Sequence, residues 1–199
     1  GGGEVGEVAL EDVTSTGSTV SFAYDGLGRR VRKDTRLGGR EASAYSQVDA
    51  TIYYHHDGQR IVETRNGSGN VMKHLVWGFQ YVDELVSVDL NARPWENQTT
   101  TGPEDLRFHA LHDANYNVIG VVDDQGVLVE RYEYSPYGER EVYYSAGEND
   151  PGCHAPALMS RVRSGSTADD HPDGICPFGH QGLLHDEEIG LIQNRARVL

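Results

Sequence analysis

Short turns rich in Gly, Asn and Asp divide the chain into runs whose apolar residues alternate with polar ones. That rhythm leaves little room for anything but a strip of β-hairpins. Val20, Phe22 and Tyr24 alternate with Ser21 and Ala23 as far as Asp25-Gly26-Leu27-Gly28, where Gly accepts a positive φ at no steric cost, and the chain returns as Arg29-Arg30-Val31-Arg32-Lys33. Thr51-Ile52-Tyr53-Tyr54 runs up to Asp57-Gly58, Gln59 to Thr64 runs away from it, and Asn66-Gly67-Ser68-Gly69 turns the chain again. Val71, Leu75 and Trp77 share one face of the next strand, with Lys73 as the exception. Phe108 to Asp113, a turn through Ala114-Asn115-Tyr116-Asn117, and Val118 to Asp123 form a further pair, and Asp124-Gln125-Gly126 leads into Val127 to Tyr134. Turn signals spaced by roughly 10 to 30 residues predict consecutive antiparallel hairpins, an all-β chain with little or no helix.

Several of these blocks hold residues at set offsets that resemble the RHS-repeat (YD-repeat) family. Tyr24-Asp25 followed by Gly28-Arg29 matches its YD-x-x-GR signature. Trp77-Gly78 leading to Tyr81-Val82-Asp83-Glu84-Leu85-Val86 is similar to the W-G-x-x-Y-V-D-x-L-V segment near the end of RHS cores. Tyr132, Tyr134, Pro136, Tyr137, Gly138 and Glu139 follow the Y-x-Y-x-P-Y-G-E segment. The run from Phe178-Gly179-His180-Gln181-Gly182 through Asp186, Gly190 and Leu191 to Arg195-Ala196-Arg197 resembles the close of the RHS repeat-associated core. The resemblance covers the chain from about Ser21 onward. This sequence carries Ile192, Gln193, Val198 and Leu199 where the family usually has aromatics. Tyr116 stands where Gly is usual, which puts a positive φ there in question, although Asn115 and Asn117 tolerate one. The family's self-cleavage aspartates have no counterparts within the sequence.

Charge narrows the partners. Thirty-one acidic against 17 basic residues give a net charge of −14, and lysine occurs only at Lys33 and Lys73. Phosphate backbones are repelled by such a surface, so nucleic acid is not an expected partner. No apolar run approaches the roughly 20 residues of a membrane-crossing helix. The start, Gly1-Gly2-Gly3-Glu4, shows neither initiator Met nor a signal-peptide pattern, as expected of a piece of something longer. The expected organisation is a linker or loose edge strand over 1–18, hairpins over 19–140, a long loop insertion over 141–177, and the closing segment over 178–199.

Candidate chemistry is sparse. Cys153 and Cys176, the two cysteines, bracket most of the loop insertion. A disulfide between them would close a loop of roughly 24 residues and contribute about 3 kcal/mol; reduced thiols, or a zinc site with His154 and His180, are the alternatives. Asp169, Asp170 and Asp173 sit beside Gly174 as calcium-loop carboxylates do, but the pattern lacks the EF-hand's closing Glu, and a solvated acidic loop accounts for it equally. His55-His56 and His109/His112 fix no open coordination site by themselves. No nucleophile elbow, phosphate-cradling loop or supported Cys-His pair is present, so neither catalytic residues nor a cofactor is expected. Asn66 and Asn97 open glycosylation tripeptides, and an Asn-Gly turn explains the first. Eleven tyrosines against four phenylalanines fit sheet packing with wet hydroxyls, or a sugar-stacking surface. Arg195 and Arg197 stand two apart and so share a face, and carboxylates within Asp186 to Glu188 or Tyr81 to Glu84 are their expected partners.

The resemblance implies a non-enzymatic structural piece of a spiral β-shell, secreted or at the cell surface, often enclosing a C-terminal toxin domain. Its partners would be the rest of its own parent chain, copies of itself or carbohydrate. A different class of function, a filament or sheet subunit pairing edge to edge, follows from the strand edges such a short strip leaves open. An autoprotease completed by residues beyond Leu199 is the enzymatic alternative.

Overall fold

The structure is a computed structural model that describes residues 19–36, 50–91, 106–136, 138, 140–144, 175–186, 191–194 and 197–198. Ten strands run β1 (Thr19–Tyr24), β2 (Arg30–Arg36), β3 (Ala50–Asp57), β4 (Arg60–Asn66), β5 (Val71–Trp77), β6 (Leu85–Leu90), β7 (Leu106–His112), β8 (Val118–Asp123), β9 (Leu128–Tyr134) and β10 (Arg140–Tyr144). They form one antiparallel sheet in sequence order, each strand paired with the next. The fold is all-β, and the one helical element among the described residues is a 3-10 turn at His180–Gly182.

Four hairpin turns are built the same way because an Asp or Asn begins each. The side-chain Oδ1 of Asp25 accepts from the backbone N–H of Leu27 and Arg29, that of Asn66 from Ser68 and Asn70, that of Asp113 from Asn115 and Asn117, and that of Asp123 from Gln125 and Val127, all at 2.8–3.0 Å. The residue three positions on takes a positive φ in each turn: Gly28 at 75°, Gly69 at 84°, Tyr116 at 60° and Gly126 at 79°. Each of these four hairpins also shifts register beside its turn, between Ala23 and Tyr24, Thr64 and Arg65, Leu111 and His112, and Val121 and Val122. A turn followed by a left-handed residue and a bulge is the three-residue hairpin form, and every bulge adds local twist.

That twist has a measurable outcome in where the ends of the sheet lie. One face buries Ile52, Tyr54, Leu75, Val88, Phe108, Val121 and Tyr132 together with Ile175, Cys176, Phe178 and Leu184 from the end of the chain. The Arg140 guanidinium of β10 donates to the carbonyls of Cys176 and Phe178, while Arg30 of β2 reaches Asp186. Phe178 and Leu184 pair across a β-bridge, so those two anchor points lie close together. On a flat sheet β2 and β10 would stand about 38 Å apart across eight spacings of ~4.8 Å. The sheet is therefore curled around the closing segment.

The strip runs past the boundary expected at residue 140. β10 pairs with β9 from Arg140 opposite Tyr134 to Tyr144 opposite Glu130, and Arg131 lies 4.5 Å over the Tyr143 ring, so the hairpin pattern continues for four residues into the expected insertion. At the other end, β11 (Leu184–Asp186), β12 (Leu191–Asn194) and β13 (Arg197–Val198) make a separate three-stranded antiparallel sheet. The expected linker over 1–18 and most of the insertion lie outside the described residues.

Candidate functional site

The closing segment, residues 175–186, meets the sheet through ionisable groups that have been taken out of water. Arg30 and Lys33 of β2 are 0% and 1% exposed, and both donate to Oδ1 of Asp186, at 2.7 and 3.3 Å. Arg30 also stacks over Phe22, 3.9 Å from the ring centroid. Lys73 of β5, the exception on its apolar face, is 2% exposed. It lies with Glu130, Arg140 and Tyr132 around Cys176, and the Tyr132 hydroxyl donates to Glu130. Both lysines of a chain with two are thus buried.

Cys176 carries a free thiol rather than half of a disulfide. Its sulfur donates to the Phe178 carbonyl at 3.3 Å, and burial pushes the thiol up to about 11, with Glu130 adding to the rise against Arg140 and Lys73. A thiol held protonated inside a core is chemically quiet. The expected partner Cys153 lies outside the described residues, as do Asp169, Asp170 and Asp173. Among the described residues no three His, Cys, Asp or Glu side chains converge as a metal site.

Backbone and small-residue contacts lock the segment laterally. Val118 N–H donates to the Gly179 carbonyl at 3.2 Å, and Gln181 N–H to Oδ1 of Asn117 at 2.8 Å. Gly182 sits at φ 64° against Asp83, where an added Cβ would stand 2.5 Å from the Asp83 Cβ. A Cβ on Gly179 would stand 2.6 Å from Nε2 of His185. His185 accepts from the His180 N–H at 3.1 Å, and burial, with Arg140 and His180 nearby, holds its imidazole down to about 3. Phe178 meets Trp77 edge to face at 5.0 Å, and the Trp77 indole donates to the Ile61 carbonyl at 2.7 Å.

Several residues of the motif-like blocks make contacts that hold neighbouring turns together. Asp25 and Arg29 pair at 2.6 Å, and Arg29 donates onward to the Gly58 carbonyl of the next hairpin at 2.6 Å, so the YD-x-x-GR motif ties one turn to its neighbour. The Gly78 N–H donates to the Glu84 carbonyl at 2.7 Å, and a side chain there would run into that of Glu84. The Tyr134 hydroxyl donates to the Val118 carbonyl at 2.5 Å, and Gly138 takes φ 88° beside His180 and Ile192. Pro136 is exposed, Leu191 pairs with Asp186, and Arg197 pairs with Asn194. Tyr137, Gly190, Arg195 and Ala196 lie outside the described residues, as does the side chain of Arg197. Tyr54 and Tyr132 are buried, and Tyr81 stacks on Tyr116 at 4.2 Å, so these four of the tyrosines considered for sugar stacking are engaged with the protein itself.

Sequence reasoning offered Asp186 to Glu188 as partners of Arg195 and Arg197, and passed over Arg30 and Lys33, which hold Asp186 in the structure.

No family model matches the chain. It is 26% identical over 124 residues to Teneurin-1 of Gallus gallus, a match covering 62% of this chain and 4% of that protein. The fold is similar to that of TcdB2-TccC3 without its hypervariable C-terminal region, with TM-score 0.53 and 16% identity over 96% of this chain and 8% of the other. It is also similar to the Photorhabdus luminescens Tc holotoxin pore carrying a point mutation in TccC3, with TM-score 0.54 and 15% identity over 97% of this chain and 8% of the other. The fold is an RHS-type β-strip. The chain spans a small fraction of each of these proteins.

Proposed function

We propose that the chain is a non-enzymatic structural piece of an RHS-type β-shell, in which the segment from Ile175 to Asp186 clasps the curled hairpin strip. The observation that carries this is the pair of anchors on one short segment, Asp186 on β2 and the Cys176 and Phe178 carbonyls on β10. Groups arranged in this way hold a sheet in a fixed curvature. The similarity in fold to TcdB2-TccC3 supports a toxin-associated shell as the larger object, with the parent chain as first partner and an enclosed C-terminal toxin domain as cargo, in a secreted or surface-exposed protein.

Imaging the particle formed by the parent chain tests this directly. A closed hollow shell containing this strip is the expected result, and particles with no enclosed lumen would overturn it. A filament is the second reading, favoured by β1 and β10, each paired on one side only among the described residues. Fibres growing with concentration from the isolated chain would select it.

A further inference from the structure

Asn66 is the one asparagine of the chain followed by glycine, and it opens the turn between β4 and β5. Its backbone N–H donates to the Asn70 carbonyl and its carbonyl accepts from Gly69, both at 2.9 Å, while its Oδ1 accepts from Ser68 and Asn70 at 3.0 and 2.9 Å. Four of the five N–H groups from Asn66 to Asn70 are thereby engaged. That of Gly67 has no acceptor among the described residues, and Gly67 is exposed, with no side chain to shield its nitrogen. Other asparagines are placed differently. The N–H after Asn115 belongs to Tyr116 and donates to the Asp113 carbonyl at 3.1 Å, and the N–H after Asn117 belongs to Val118 and donates to the Gly179 carbonyl at 3.2 Å. Asn70 and Asn91 are 4% and 1% exposed.

The amide nitrogen that follows an asparagine is a nucleophile within reach of the side-chain carbonyl carbon, and a glycine there leaves it open to solvent base. Oδ1 is the oxygen that becomes negative when Cγ is attacked, and two N–H groups at 2.9 and 3.0 Å already donate to it, as they do in an oxyanion hole. We propose that Asn66 is a self-modifying site, at which the folded chain deamidates and the turn supplies both the attacking nitrogen and the oxyanion donors. Solvent base takes the Gly67 N–H proton as that nitrogen bonds to Cγ of Asn66. The Cγ–Nδ2 bond then breaks, and Nδ2 leaves as ammonia with a proton from solvent. Water opens the resulting succinimide. Attack at Cγ gives aspartate, and attack at the main-chain carbonyl gives isoaspartate, whose main chain runs through Cγ.

The two products differ in what they do to the hairpin. Asp25, Asp113 and Asp123 open the sibling turns, and their Oδ1 atoms accept from the same two positions. Aspartate at 66 therefore fits the turn as it stands. Isoaspartate lengthens the main chain at the end of β4 by one methylene, about 1.5 Å. It also turns Oδ1 into a main-chain oxygen, so the acceptor for Ser68 and Asn70 is displaced.

Incubating the whole chain in mildly alkaline buffer, both folded and in urea, separates the effect of the turn from that of the Asn-Gly sequence. Each asparagine is followed by mass spectrometry after digestion with an acid-active protease. Folding should slow Asn115 and Asn117 by about tenfold, the factor that giving up one backbone hydrogen bond imposes, and should leave Asn66 at its unfolded rate or above it. Slowing of Asn66 in the folded state as large as that of Asn115 overturns the proposal. Asn66→Asp should melt with the parent, and folded chain aged until Asn66 has reacted should contain isoaspartate and a fraction melting below that variant. A variant that itself melts well below the parent would overturn the claim that the turn accepts its own aspartate product.

Discussion

Removing the Asp186 carboxylate is the most direct challenge to the clasp. In Asp186→Ala the Arg30 guanidinium stays buried without its acid, and Lys33 loses the same Oδ1; both side chains are at most 1% exposed. Breaking a buried pair costs about 3–5 kcal/mol through the charge left behind. Lys33 can escape by shedding its proton, which at pH 7 caps its share at roughly 4–5 kcal/mol, while Arg30 cannot deprotonate. A loss near 4 kcal/mol is therefore expected, equivalent to a fall of about 10 °C in Tm for a chain of this size. Urea unfolding followed by tryptophan fluorescence measures it, with Arg107→Ala as the control. Arg107 grips Asp89 through two 2.7 Å bonds but in water-exposed surroundings, and its removal should leave the midpoint within experimental scatter. The combined variant Arg30→Met, Lys33→Met, Asp186→Leu should recover most of the loss, because no charge is then stranded. If Asp186→Ala costs no more than Arg107→Ala, the buried clasp is wrong.

Other outcomes follow from the same contacts. The folded state holds His185 neutral down to about 3, below its ordinary value, so the unfolded chain binds a proton first and stability drops as pH falls from about 6.5 towards 3. Urea midpoints at pH 7 and pH 4.5 should differ more in the parent than in His185→Gln, and equal slopes would remove His185 from the account. Gly182→Ala forces a side chain into Asp83 at a positive φ and should destabilise by roughly 2–4 kcal/mol; thermal melting of the variant checks this, and an unchanged Tm contradicts the docked geometry. Tyr116→Gly relieves about 1–2 kcal/mol of left-handed strain but gives up the stack on Tyr81, worth roughly 0.5–1.5 kcal/mol, so it should be nearly neutral. Tyr116→Gly in a Tyr81→Ala background should be clearly stabilising, and a destabilisation there would refute the strain.

The strands and turns were legible because their determinants are local. Asp25, Asn66, Asp113 and Asp123 each organise a turn with atoms no more than four residues away, and period-2 alternation set the buried face between bulges. Tyr116 was harder, since a neighbouring Asn is the better left-handed residue in isolation; the turn's hydrogen bonds fix which position takes the positive φ, and the Tyr81 stack holds the ring. Cys176 was expected to pair because cysteines flanking a loop do so in the absence of a core, yet Ile175, Cys176 and Phe178 are themselves core. The Asp186 partners were out of reach for a different reason. No periodicity connects β2 to the closing segment, and only the curl of the sheet brings them together.

That contact has a consequence for how the chain folds. Strands paired only with their sequence neighbours close short loops, so hairpins can form and melt one after another like links in a one-dimensional array. The Arg30–Asp186 pair closes a separation of 156 residues, and its entropic cost is met only once the intervening strands are already in register. It should thus form late in folding, weighing little on the folding rate and heavily on the unfolding rate. In an otherwise additive strip, this contact together with those of Arg140 couples β2 to β10 through the closing segment, so that the first hairpin and β10 are lost together rather than frayed separately.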